Sequence, residues 1–374
     1  MTDFIQPGAG IGIIGGGPLA YSMANAAKAM GMNTIVLAPS ESDPALALAD
    51  IPLIGHATDA AALARLAEVA TVVTFANENV DGDALAQLTT KRQLPSGVDI
   101  LAVTQDRYLE MVFLDDLNVN ILPYAQVVGP SDLTKAIESV GLPAILKPIQ
   151  KDMGADQQLR LTSQADVQRA QQLLQQRPYI LEAWLDRPTE YAVTVVKSGD
   201  EVRVMPVVQT VFARHQLQAA FVPATGGQAV HHEITRVAKL IAAHLDYTGA
   251  FGIELFMTAN QSLYVKRIYP APQLTNHVLA STTGFSPVAL HLRALLGWPL
   301  PALSLLRPGV MIPLRAEDAG AAMTQVRIKP DWQFEFYPSG SDLIGMMTIY
   351  KPLVEAAQLL NATDHFHLNL SEED

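Results

Sequence analysis

Apolar and polar positions alternate with a period of two from Phe251 to Thr258, which predicts a strand. Ile253, Leu255 and Met257 fall on one face; Gly252, Glu254, Phe256 and Thr258 fall on the other. Ala259-Asn260-Gln261 supplies a turn, and Ser262 to Ile268 returns with the β-branched and aromatic bias of a second strand. Glu254 therefore projects from the middle of an apolar strand. A carboxylate buried there costs several kcal/mol or more unless a cation or hydrogen bonds compensate. Its partner is either a neighbouring base, Lys266 or Arg267, or a metal ion.

The first hundred residues show a different pattern. Ile11 to Ile14 reads as a short buried strand, Gly15-Gly16-Gly17 as a turn, and Pro18 as the opening of a helix from Leu19 to Met30, closed by Gly31. A second strand follows at Asn33 to Ala38, then a helix at Ala60 to Ala70, a strand at Thr71 to Phe75 and the loop Ala76 to Val80. Free amides at the start of the first helix could hold an anion. Gly10, Gly12 and Gly15 satisfy a dinucleotide fingerprint in spacing, but two of them fall before or inside the strand. The second strand ends in Ala38-Pro39 without the acidic residue a dinucleotide ribose requires, so this is not an NAD site.

Downstream, Gln105-Asp106 opens a helix over Arg107 to Leu117, and Ala144 to Lys147 is a strand. Gln164 to Gln176 is an amphipathic helix, and Tyr179 to Leu185 is a further strand. More strands are predicted at Tyr191 to Val196 and Val202 to Val211, a helix from His231 to Leu245, and another helix from Ser286. Val310 to about Leu360 reads as a small β-rich domain. With 374 residues, 49% of them hydrophobic, the chain is long enough for two or three domains of one α/β protein. A net charge of -12 argues against nucleic acid or an anionic membrane as partner, while leaving room for a small phosphorylated ligand in a local basic pocket. The absence of cysteine excludes disulfides, thiolate metal sites and a cysteine nucleophile. No apolar run reaches the ~20 residues of a membrane helix, and MTDFIQPGAG lacks a signal core, so a cytoplasmic protein is expected. His365 and His367 are spaced to chelate, but without a third ligand they read as surface residues.

The hairpin and its continuation, Lys266-Arg267-Ile268-Tyr269-Pro270-Ala271-Pro272-Gln273-Leu274-Thr275-Asn276-His277, resemble the end of the ATP-grasp core of N5-carboxyaminoimidazole ribonucleotide synthetases. The family carries Asn-Glu, then Ile-Ala-Pro-Arg-Pro-His-Asn-Ser-Gly-His there. The resemblance extends over nearly the whole chain, from Gly15-Gly16-Gly17-Pro18-Leu19-Ala20-Tyr21 to the loop before Gly345. It implies an ATP-grasp fold: a Rossmann-like domain over residues 1–104, an ATP-grasp domain over 105–303 with a lid at about 122–190, and a β-rich domain over 304–374. It also implies ATP and Mg2+ as cofactors, an ATP-dependent carboxylation of 5-aminoimidazole ribonucleotide through carboxyphosphate in purine biosynthesis, and a homodimer.

Carried over residue by residue, the resemblance places ATP against Arg107, Lys147, Glu182, Ala183, Trp184, Leu185 and Glu190. The substrate would meet Glu78, Asn79 and His277, and the metal Glu254. Several positions depart from the family. Arg267 stands where the second metal carboxylate is expected, leaving the catalytic residues unassigned, and Phe212 stands where a histidine is expected. Ala271 replaces a substrate arginine. The phosphate loop reads Lys151-Asp152-Met153-Gly154-Ala155-Asp156-Gln157-Gln158 and retains one glycine. The substrate-phosphate slot, Ser339 to Met346, has lost three basic residues and gained Asp342. Two readings follow: a family ligase with impaired or altered chemistry, or a catalytically inactive relative acting as a nucleotide-binding, ligand-binding or regulatory protein.

Overall fold

A computed structural model describes residues 4–151, 157–213, 216–338 and 341–368. The expectations for 152–156 of the phosphate loop, and for Ser339 and Gly340, fall outside the described residues.

The N-terminal part is a parallel sheet with helices against it. Its elements are β1 (Gly10–Ile14), α1 (Pro18–Ala29), β2 (Asn33–Ala38), β3 (Ile51–Ile54), α2 (Ala60–Val69), β4 (Val72–Phe75), α3 (Gly82–Leu88) and α4 (Asp99–Thr104). The strand order is β3-β2-β1-β4, all pairs parallel. The strands are short and almost wholly apolar, as parallel strands covered on both faces must be. The loop segment at Ile51–Ile54 is a strand that the alternation did not predict.

Helix α5 (Arg107–Asp116), capped by Asp106, leads into a four-stranded antiparallel sheet. Its members are β5 (Tyr124–Val127), α6 (Leu133–Val140), β6 (Ala144–Pro148), β7 (Leu159–Leu161), α7 (Gln164–Leu173) and β8 (Tyr179–Ala183), in strand order β5-β8-β6-β7.

The remaining strands form one large sheet: β9 (Thr189–Ser198), β10 (Glu201–Val204), β11 (Val208–Ala213), β12 (Gln216–Val222), α8 (Gly227–His244), β13 (Gly249–Met257), β14 (Leu263–Tyr269), α9 (Leu279–Thr282), α10 (Pro287–Leu295), β15 (Gly309–Arg315), α11 (Ala319–Ile328), β16 (Trp332–Phe336), β17 (Leu343–Ile349) and α12 (Leu353–Asn361). The order is β14-β13-β9-β11-β12-β15-β17-β16, with β10 on β9. The three C-terminal strands are thus an extension of the same sheet, joined where Ala220 of β12 faces Met311 of β15.

The predicted hairpin is β13–β14, with Gln261 in the left-handed region at φ 63° and a bulge between Glu254 and Leu255. Helix α8 begins at Gly227, so His231 and His232 lie inside it and not at its start. His365 is bound to Asp318 at 2.7 Å, and His367 lies in a coil beyond α12. One core is shared by the N-terminal and large sheets, joining Ile14, Leu37 and Phe75 to Phe251, Ile253 and Ile268. That common core fixes the open end of β1 and β4 beside β13 and β14.

Candidate nucleotide and substrate site

Glu254 and Arg267 are directly opposed in the β13–β14 ladder, so their side chains emerge on one face. Glu254 is 3% exposed. Its Oε2 lies 3.1 Å from Arg267 Nε and 3.2 Å from Lys266 Nζ, and its Oε1 accepts from Tyr269 Oη at 3.0 Å. Burial opposes ionisation, but Arg267 and Lys266 outweigh it and hold the carboxyl below its ordinary range. Lys266 and Arg267, the bases named as one alternative for this carboxylate, both pair with it. Both oxygens are engaged, and among the described residues no cluster of three metal-ligating side chains occurs. These residues do not fit a divalent ion at Glu254: it would have to displace two cations from the one carboxylate.

A second buried carboxylate lies behind the first. Glu110 of α5 accepts the Ile268 N–H at 2.6 Å and pairs with Lys151 at 2.8 Å, both side chains almost fully buried. Burial pushes Glu110 up more strongly than Lys151 pulls it down. Lys151, expected in the phosphate loop, is thereby committed to the core. Arg107, which the resemblance sets against ATP, makes contacts to backbone within the protein. Its Nη1 donates to the carbonyls of Pro148 at 2.6 Å and Gln150 at 2.9 Å, tying α5 to the end of β6.

On the lid side, Lys147 of β6 and Glu182 of β8 are bound at 2.6 Å across neighbouring strands, and Lys266 reaches Glu190 of β9 at 2.9 Å. The hinge after β8 leaves polar groups without partners. Trp184 Nε1 is buried with none, and the Leu185 N–H makes no hydrogen bond among the described residues. Arg160 lies 4.6 Å over the Trp184 ring. The Ala183 and Trp184 amides are used, donating to Pro123 and Pro143. Orphan donors at a hinge beside a lysine–glutamate pair fit the adenosine end of a nucleotide.

Next to Glu254 opens a cavity of about 390 Å³. Its charged lining is Glu78, Glu254, Arg267 and Arg315, two of each sign; Leu19, Phe212, Leu274, Pro313 and Met346 supply apolar wall. Phe212 also packs against Lys266, 5.3 Å from its ring centre. Glu78 is held by its backbone, since Gln105 Nε2 donates to the carbonyls of Glu78 and Val80. Asn79 faces elsewhere, into a smaller cavity of about 260 Å³ bounded by Gly15, Gly16, Gly17, Asp43 and His56; Asn77 lines both. There the Asp43 carboxylate sits so close to Gly16 that a Cβ would fall 2.4 Å from it. His277 is absent from both linings and pairs with Glu335 at 2.9 Å. Arg315, which the sequence did not single out, pairs loosely with Asp342 at 3.3 Å. Its position at the end of β15 carries no local signal, because only the pairing of β15 with β12 brings it to the cavity.

The chain is similar to known proteins over most of its length. Residues 112–286 match the ATP-grasp domain, and residues 9–105 match the ribonucleotide synthetase preATP-grasp domain. The N5-carboxyaminoimidazole ribonucleotide synthase of Bacillus subtilis (strain 168) is 32% identical over 317 residues, spanning 84% of this chain and 83% of that protein. A crystal structure of the ADP complex of an N5-carboxyaminoimidazole ribonucleotide synthetase superposes with a TM-score of 0.90 at 31% identity, covering 96% of this chain and 97% of that one. The Aspergillus clavatus synthase in complex with ADP and 5-aminoimidazole ribonucleotide gives 0.84 at 25% identity, covering 94% and 96%. The chain belongs to the N5-carboxyaminoimidazole ribonucleotide synthase family, built on an ATP-grasp domain behind a preATP-grasp domain.

Proposed function

We propose that this chain binds an adenine nucleotide at the hinge and a small molecule in the cavity beside Glu254, in a site whose Glu254 carboxylate does not take a divalent ion. The observation that carries this is the Glu254 carboxylate, already neutralised by Arg267 at 3.1 Å and Lys266 at 3.2 Å. The Trp184 indole N–H and Leu185 amide, unpaired among the described residues and next to Ala183, offer the adenine edge, with Glu182 and Glu190 close by, bound to Lys147 and Lys266. Arg107 supports this region by fixing the carbonyls after β6 rather than by reaching a ligand. On the substrate side Glu78 faces the larger cavity and Asn79 the smaller one, while His277 is paired with Glu335. Small-molecule ligands of this kind are present in related structures, which hold ADP and 5-aminoimidazole ribonucleotide.

A second reading has the whole-length similarity in its favour: the family's own ATP-dependent carboxylation of 5-aminoimidazole ribonucleotide, in a cytoplasmic homodimer. Incubation with ATP, bicarbonate, 5-aminoimidazole ribonucleotide and Mg2+ separates the two. The first predicts a thermal shift with ADP and no ADP release above the protein-free rate. Carboxylated product formed stoichiometrically with ADP would establish the second instead. Light scattering decides whether the chain is a dimer.

A further inference from the structure

We propose that Arg267 takes over the work of a divalent cation, so that the phosphates of a nucleotide held at the hinge are met by its guanidinium and bind without metal. This rests on the nucleotide-binding reading above and specifies how the charged end of that site works.

Arg267 spends only Nε on Glu254. Its two Nη groups make no hydrogen bond among the described residues, while the guanidinium lines the 390 Å³ cavity. The group is held in place from two sides, by Nε on the carboxylate and by the Tyr269 ring, whose centre lies 4.1 Å from Cζ. A planar fork fixed in this way presents two parallel donors, the geometry that suits a phosphate or carboxylate.

The neighbouring bases are committed elsewhere. Lys147 is bound to Glu182, Lys151 to Glu110, and Lys266 to both Glu190 and Glu254. Arg107 spends its Nη1 on two carbonyls and does not line the cavity. The Nη pair of Arg267 is therefore an uncommitted cationic donor set beside Glu254. A divalent ion brings charge to a carboxylate and coordinates phosphate oxygens on its other side. Arg267 does both with one side chain: its charge neutralises Glu254, and its outer edge faces the cavity. Because it is covalently present, this charge does not vary with metal concentration.

Calorimetric titration with ADP, in EDTA and in Mg2+, tests the idea on the full chain. Wild-type affinity is expected to agree within about twofold between the two buffers, and ADP to bind at least about tenfold more tightly than adenosine in EDTA. Arg267→Gln should remove most of that advantage, and Arg267→Glu should make ADP binding depend on Mg2+. The adenosine comparison needs no variant, so it decides the matter even if a substitution prevents folding. ADP binding seen only with Mg2+, or equal affinity for ADP and adenosine, would overturn the inference while leaving nucleotide binding intact. Absence of binding by both ligands in both buffers would overturn the nucleotide reading itself, and this inference with it.

Discussion

Glu110 and Glu254 are both buried, yet their environments push them in opposite directions. Glu254 has two cations and a hydroxyl, and it is held ionised; Glu110 has Lys151 and one amide, and burial raises it. Removing one member of such a pair strands the other in a low-dielectric interior. Lys151→Met alone should cost about 3–5 kcal/mol in urea unfolding, while the double variant with Glu110→Gln should recover a large part of that loss. Equal destabilisation in the single and double variants would mean the pair adds nothing beyond packing. At this scale the sequence was partly legible. The cations beside Glu254 could be read because they lie one strand away across a short turn. The Glu110–Lys151 pair could not, because it joins a helix to the segment after β6, some forty residues on. The partners of Arg107 were hidden as well: they are carbonyls at Pro148 and Gln150, which no charge pattern reveals.

Among elements, the hairpin, the opening βαβ unit and the lid strands follow from periodicity and turn residues, each a local property. What local pattern does not show is pairing. Residues from Val310 onward have the composition of a separate small domain, but β15 finds β12 and extends the large sheet. That pairing brings Arg315 and Met346 to the cavity wall. Gly345, in the slot where a phosphate clamp was expected, has a packing role here. It faces Phe336 across the β16–β17 ladder, and a Cβ on it would lie 2.2 Å from the Glu335 carbonyl oxygen. Gly345→Ala should therefore lower stability by about 1–3 kcal/mol, seen as a drop in melting temperature. An unchanged melting temperature would show that the ladder opens at no cost.

Across the whole molecule, the N-terminal and large sheets share one core and a buried histidine. His291 of α10 hydrogen-bonds Thr74 of β4 through Nε2 at 2.7 Å, and its Nδ1 accepts the Ala250 N–H of β13 at 2.8 Å. The ring is neutral, with Nδ1 as acceptor and Nε2 as donor, and burial holds its pKa down at about 3. In the unfolded chain it titrates near ~6.5. Between those values the unfolded state binds the extra proton, so stability rises with pH through this window and is lost as pH falls, by about 1.4 kcal/mol per unit. His291→Gln should flatten that dependence between pH 6 and pH 4 relative to wild type. A parallel loss in both proteins would assign acid sensitivity to the carboxylates instead.

The ends of the structure add a temporal order. Ile5 donates its N–H to Leu296 and accepts the Trp298 indole N–H at 2.7 Å, while Phe4 stacks on the Trp298 ring. A ribosome delivers β1 to β4 first, but the residues that clasp their leading edge and bridge Thr74 arrive more than two hundred positions later. The parallel sheet must therefore wait, incompletely covered, until α10 and Trp298 have left the exit tunnel. For a nascent chain, the last step in completing the N-terminal sheet is written near residue 300.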